Sequence, residues 1–178
     1  MIWHILLAVA AIIGIIALIA LTKPDEWTIY RQGAIPGVPA IVFPYMDDLH
    51  KFLEWSPWAK LDPAMKLTHG GPPSGSGAHF TWEGNSKVGA GKLTITESRP
   101  NELVRCQLDF YKPFRCTNSH EFVLKPEGSQ TMVTWTMNGK SPFVFKLFLV
   151  FASCDRMMGK DLERGLANLK AVAAGQAA

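Results

Sequence analysis

The stretch Phe52-Leu53-Glu54-Trp55-Ser56-Pro57-Trp58-Ala59-Lys60-Leu61-Asp62-Pro63, FLEWSPWAKLDP, changes periodicity in its middle. Up to it, Val42, Met46, Leu49 and Leu53 recur at spacings of three and four, so Ala40 to Trp55 reads as one or two short helices. Pro44 suits a first-turn position, where its missing N–H costs little. Pro57 ends the run, because the residue before a proline is pushed away from helical angles. Beyond Asp62 the pattern is alternation. The stretch is therefore the hinge between helices and strands, and two of the chain's six tryptophans flank its Ser-Pro.

Downstream, short alternating segments are separated by turn residues, the mark of an antiparallel sheet. Strands are expected near Ala64–Thr68, Gly77–Glu83, Val88–Glu97, Leu103–Tyr111, Ser119–Lys125 and Gln130–Asn138. The connectors are too short for crossover helices, so consecutive hairpins follow. Upstream, Trp27–Gln32 alternates as a strand, and Gly33 to Pro39 is expected to turn. After the sheet, one long helix is expected from a Ser141 N-cap and Pro142 to about Ala173. Its first part, FVFKLFLVF (Phe143–Phe151), is apolar on nearly every side, so it should be enclosed by the sheet or touch a membrane surface. Gly159 and Gly165 in the second part point to close packing or a slight bend.

The other end of the chain has a different character. Ile2 to Leu21, IWHILLAVAAIIGIIALIAL, has His4 as its only ionisable side chain. As a helix it would reach roughly 30 Å, the thickness of a bilayer's hydrocarbon core. No basic residue precedes the run and Leu18-Ile19-Ala20 is a poor cleavage site, so an uncleaved single-pass anchor is expected in place of a signal peptide. Lys23 and Arg31 follow the span, which places the rest of the chain in the cytoplasm. The expected organisation is an anchor over residues 1–22, a linker over 23–26, one domain over 27–174 and a disordered tail over 175–178.

The three cysteines, Cys106, Cys116 and Cys154, have neither a C-x-x-C spacing nor an even number, so no disulfide framework or zinc signature is expected. Free thiols agree with the cytoplasmic orientation. The formal charge of +3 is spread out, and no basic run suggests nucleic acid.

The order strand, helices, six strands and long helix resembles the helix-grip domains of the START-related SRPBCC superfamily. Trp55-Ser56-Pro57-Trp58, Gly75-Ser76-Gly77-Ala78-His79-Phe80-Thr81-Trp82-Glu83-Gly84-Asn85, Thr131-Met132-Val133-Thr134-Trp135 and Met158-Gly159-Lys160-Asp161-Leu162-Glu163-Arg164-Gly165-Leu166-Ala167-Asn168-Leu169-Lys170 are similar to its bacterial polyketide-cyclase-like branch. The similarity covers about Trp27 to Ala173. It implies an α+β fold: a curved antiparallel sheet wrapped around a long C-terminal helix, here preceded by a single transmembrane helix. It also implies a bacterial inner-membrane protein with an apolar ligand space between sheet and helix.

Candidate residues for that space are Trp55, Trp58, Phe80, Trp82, Leu108, Phe110, Phe122, Trp135 and Phe145. The Gly-rich segment His69–Gly77 lacks the Walker lysine and reads as a flexible hairpin at a cavity mouth. His79 and Glu83 share a strand face and would form an acid/base pair only if that face pointed inward. No catalytic set, metal site or cofactor is expected. The leading expectation is an anchored domain binding a hydrophobic small molecule or lipid. The alternatives are an accessory subunit of a larger membrane complex and a polyketide cyclase/dehydratase-like enzyme.

Overall fold

The computed structural model describes residues 2–176. Helix α1 (Ile2–Leu21) leads into β1 (Glu26–Pro36) and three short helices, α2 (Pro39–Val42), α3 (Pro44–Asp47) and α4 (Leu49–Trp55). Six strands follow: β2 (Lys66–Gly70), β3 (His79–Glu83), β4 (Ala90–Arg99), β5 (Leu103–Lys112), β6 (Cys116–Glu127) and β7 (Gln130–Lys140). Helices α5 (Phe143–Phe148) and α6 (Cys154–Gln176) end the described chain. The seven strands form one antiparallel sheet in the order β1-β7-β6-β5-β4-β3-β2. Each expected hairpin is present, and β1 closes the sheet against the last strand. The chain has the α+β helix-grip architecture, and α1 is long and apolar enough to cross a membrane.

Alternation fixes which sheet face is buried. Phe80, Leu93 and Leu108 stand opposite one another in successive strands, as do Ile95, Cys106, His120 and Met137, and all seven are buried. Two irregularities between β4 and β5, at Ala90/Gly91 and Ile95/Glu97, bend the sheet around this face. Helix α6 packs chiefly along β1. Gly165 makes the approach close, since a β-carbon there would lie 2.5 Å from Trp135 Cζ3. Arg31 ties the helix to β1 through Asp155 and Glu163, each at 2.7 Å.

Four expectations change. Strand β1 continues through Pro36, because its whole length pairs with β7 from Lys140 to Gln130. The turn there narrows to Gly37, whose φ of 102° suits glycine. The single C-terminal helix is two helices. Ser141 caps neither; its N–H donates to Asp25 O at 2.6 Å and Pro142 is the residue before α5. The cap of α6 is Ser153, whose Oγ accepts from Arg156 N at 3.2 Å, with Asp155 in the first turn. Phe143–Phe151 is not enclosed by the sheet, for Phe143, Val144, Phe148 and Phe151 are exposed. Finally, α6 runs through Gln176, into the segment expected to be a tail; residues 177 and 178 lie outside the described residues.

The Gly165 contact can be tested. Gly165→Ala is expected to destabilise the domain by about 1–3 kcal/mol through overpacking on Trp135, despite the roughly 1 kcal/mol of helix propensity alanine gains. Gly175→Ala, where a β-carbon meets nothing within 4 Å, is expected to be neutral or slightly stabilising. Thermal unfolding of both full-length variants in detergent compares them, and equal melting temperatures would contradict the close approach.

Candidate ligand-binding site

The helix layer and the concave sheet face leave a cavity of about 210 Å³ between them. Its floor is formed by Phe80 and Trp82 of β3, Leu93 of β4, Leu108 and Phe110 of β5, Asn118 and His120 of β6, and Met137 of β7. Phe52 and Leu53 of α4 with Ser56, Trp58, Ala59 and Met65 of the hinge form its roof. Lys87, Val88 and Met158 complete the wall. The roof is thus mainly α4 and the hinge. Helix α6, drawn against β1, contributes one methionine to a space expected to lie under that helix.

The hinge is held over the sheet by a buried carboxylate. Asp62 accepts from Ala64 N at 3.1 Å and, through its other oxygen, from Asn85 N at 2.6 Å. This joins the hinge to the β3–β4 hairpin. Trp82 is fixed to the same hairpin, its Nε1–H donating to Val88 O at 3.0 Å.

Of the nine candidate residues, Trp58, Phe80, Trp82, Leu108 and Phe110 line the cavity. Trp55, Phe122 and Trp135 do not. They are fully buried in the core beside it, with Trp55 edge-on to Trp135 at 5.3 Å and Phe122 at 5.2 Å from Trp135. Phe145 lies on α5, half-buried against the core. The two hinge tryptophans therefore differ. Trp55 points into the core, its Nε1–H donating to Tyr45 O at 2.8 Å, whereas Trp58 turns one edge to Trp135 and helps wall the cavity.

On the floor, sequence reasoning missed Leu93, Met137, Asn118 and His120, and among its candidates it named none of the lining residues of α4. The first two carry a signal in hindsight, since each alternates in register with residues it had selected. His120 is the most informative omission. It is buried among Trp58, Phe122 and Trp135. Trp135 Nε1–H donates to its Nδ1 at 3.3 Å, which puts the ring proton on Nε2, an atom with no hydrogen-bond partner among the described residues. Burial pushes the imidazole down to about 4 from 6.5, so it is neutral at pH 7.

Two other expectations are redirected. His79 and Glu83 lie on the outer sheet face: Glu83 pairs with Lys112 at 2.9 Å and His79 Nδ1 sits 3.0 Å from Gly77 O. The Gly-rich loop does not reach the cavity. It joins β2 to β3 at the other end of the sheet, tied by Gly75 N to Asp47 O and by Gly77 N to Ile95 O.

Because His120 titrates lower in the folded chain than in the unfolded one, its contribution to stability is complete above pH 6.5. It is lost as pH falls toward 4, where the folded ring finally charges. The loss is on the order of 3 kcal/mol. His120→Gln, which keeps an acceptor near Trp135 but cannot titrate, is expected to flatten the fall in urea midpoint across that window. Parallel pH profiles for the two proteins would show that His120 is not buried neutral.

Solved structures with this arrangement share little sequence. A Nitrosospira multiformis protein is 19% identical, with a TM-score of 0.58 over 82% of this chain and 94% of its own. A Chromobacterium violaceum protein is 13% identical, with a TM-score of 0.58 over 85% and 98%. Ginseng major latex-like protein 151 from Panax ginseng is also 13% identical, with a TM-score of 0.58 over 84% and 98%. At these identities the likeness concerns the fold. No curated protein matches the sequence. The family model for polyketide cyclase / dehydrase and lipid transport matches residues 26–174, so the chain belongs to that family, within the SRPBCC superfamily.

Proposed function

We propose that the protein is a bilayer-anchored binding protein that holds a small hydrophobic molecule, or one end of a lipid, in the cavity beneath α4. The observation that carries this reading is the cavity wall itself. It is built of aromatic, leucine and methionine side chains, with Ser56, Asn118, His120 and Lys87 as its polar members. A cavity so lined favours apolar guests. Its volume lies below the roughly 300–1,000 Å³ of drug-sized sites, which favours a compact molecule or part of a chain. The family description names lipid transport beside cyclase chemistry.

The wall favours binding over turnover. An imidazole acting as general base needs an unoccupied ring nitrogen to take the proton. On this wall His120 is the one imidazole, its Nδ1 is occupied by Trp135, and Lys87 is exposed on the β3–β4 hairpin. Helix α1 supplies the anchor in this reading, with the domain on the cytoplasmic side. Lys23 and Arg31 after the span and the three unpaired cysteines support that orientation.

Chloroform extraction of the purified full-length protein, followed by mass spectrometry, is expected to yield an apolar compound in near-stoichiometric amount. Leu108→Trp, which fills the floor of the cavity, is expected to weaken binding of an apolar fluorescent probe about tenfold, near 1.4 kcal/mol. The melting temperature should hold or rise as the void is filled. Unchanged probe affinity in a folded Leu108→Trp protein would sink the assignment of this cavity as the binding site.

A further inference from the structure

Helix α5 is built inside out for a protein in water. Its one charged residue, Lys146, is buried and reaches back to Asp25 in the linker, Nζ to Oδ1 at 2.5 Å. Its apolar residues Phe143, Val144 and Phe148 face outward, and Phe151 follows them in the turn before α6. A surface helix in water shows the opposite arrangement. Among the described residues outside α1, five large apolar side chains are more than half exposed: Tyr30, Phe114, Val144, Phe148 and Phe151.

Four of those five lie at one rim. Register places the start of β1, the end of β7, the start of β6 and the end of β5 side by side. Phe114 is in the β5–β6 turn and α5 follows β7 directly, so all four sit at this end of the sheet. The turn lies about two and a half strand spacings from β1, roughly 12 Å.

The same rim is tied to α1. The linker from Thr22 to Asp25 could span at most about 14 Å even if extended. Helix α1 touches α5, and its burial is confined to Ile16, Ala17 and Ala20. From Ile16 to Ala20 is about 6 Å along a helix, which matches the roughly 5–10 Å to which interfacial helices sink into the head-group boundary. Asp25 is paired with Lys146 and Glu83 with Lys112, which leaves Lys23, Arg115 and Lys140 against Glu26 and Asp109 around this end. That surplus of positive charge suits anionic lipid.

From these observations we infer that the rim formed by α5, the turn to Phe151 and the Phe114 hairpin is a second, interfacial membrane contact, seated on the lipid beside the anchor. This rests on the reading of α1 as a membrane span. The contact fixes the domain's tilt, with the sheet's rim in the head-group layer and the β6–β7 turn at Gly128 farthest from it.

The test uses the full chain, with Cys116→Ser to remove the exposed native thiol, in phosphatidylcholine–phosphatidylglycerol nanodiscs. Single labels are placed at Ile12→Cys, Val144→Cys, Phe151→Cys and Gly128→Cys. Lipids brominated near the head-group end of the acyl chains are expected to quench the labels at 144 and 151 by more than half and leave 128 unchanged. A label at 12 quenched by deeply brominated lipid, with 144 and 151 untouched, would overturn the rim contact while leaving the anchor standing. Loss of quenching at 12 as well would overturn both. Labels at 144 and 151 shielded from aqueous iodide yet unreached by brominated lipid would show that protein, such as a second copy or a partner subunit, covers the rim, and would also overturn the proposal.

Discussion

Trp135 is the point at which the three layers of the domain meet. Trp55 of α4 and Trp58 of the hinge each present an edge to it, at 5.3 and 5.7 Å, and Gly165 lets α6 close on the same indole. Such edge-to-face pairs contribute about 0.5–1.5 kcal/mol each beyond area burial. Their geometry matters more than their sum. Asn168 Nδ2 donates to Trp55 O at 3.1 Å, so the helix that closes on Trp135 also holds the residue packed against it. Helices α4 and α6 are thereby set on the sheet at one place, over β6, β7 and β1.

The cavity follows from that placement. With α6 committed to β1 and α4 held beside Trp135, cover over the strands farther along is left to the Phe52 and Leu53 side of α4 and to the hinge. The hinge spans the gap, stapled by Asp62 to the β3–β4 hairpin. The ten-residue connector from Ser56 to Met65 cannot fill the space a helix would, and the side chains it offers are Ser56, Trp58, Ala59 and Met65. The void is thus the remainder of a sheet wider than its helical cover.

Much of this architecture was legible in the sequence because it depends on local chemistry. Alternation and turn residues located all seven strands, and Pro57 located the hinge. What failed depended on partners. Gly33 to Pro36 looks like a turn in isolation, yet pairing with β7 holds it extended. FVFKLFLVF has helical composition throughout, and the break before α6 is set by Ser153, a cap placed among residues that gave no reason to stop. Within the site, Trp55 and Trp58 are chemically alike and three residues apart. Only the positions of Trp135 and Tyr45 decide that one is core and the other is wall. His120 has no metal-ligand spacing to mark it in the sequence, and its significance comes from a tryptophan on the neighbouring strand.

On the proposed reading, the source of the ligand changes what the cavity has to supply. A guest taken from water gains the hydrophobic effect on entry. A guest taken from a bilayer gains little of it, because lipid tails are as apolar as leucine. Recognition from the membrane therefore falls to shape and to the few polar groups on the wall. Aromatic rings held by neighbours, such as Trp58 against Trp135 and Trp82 bound to Val88, offer a surface that does not collapse when empty. Ser56, Asn118 and His120 then discriminate among guests of similar size, since a polar group in an apolar site rejects a ligand that leaves it unpaired more strongly than extra methylenes reject one another. A cavity that is mostly apolar is thus compatible with a selective protein, with the selectivity carried by its polar minority.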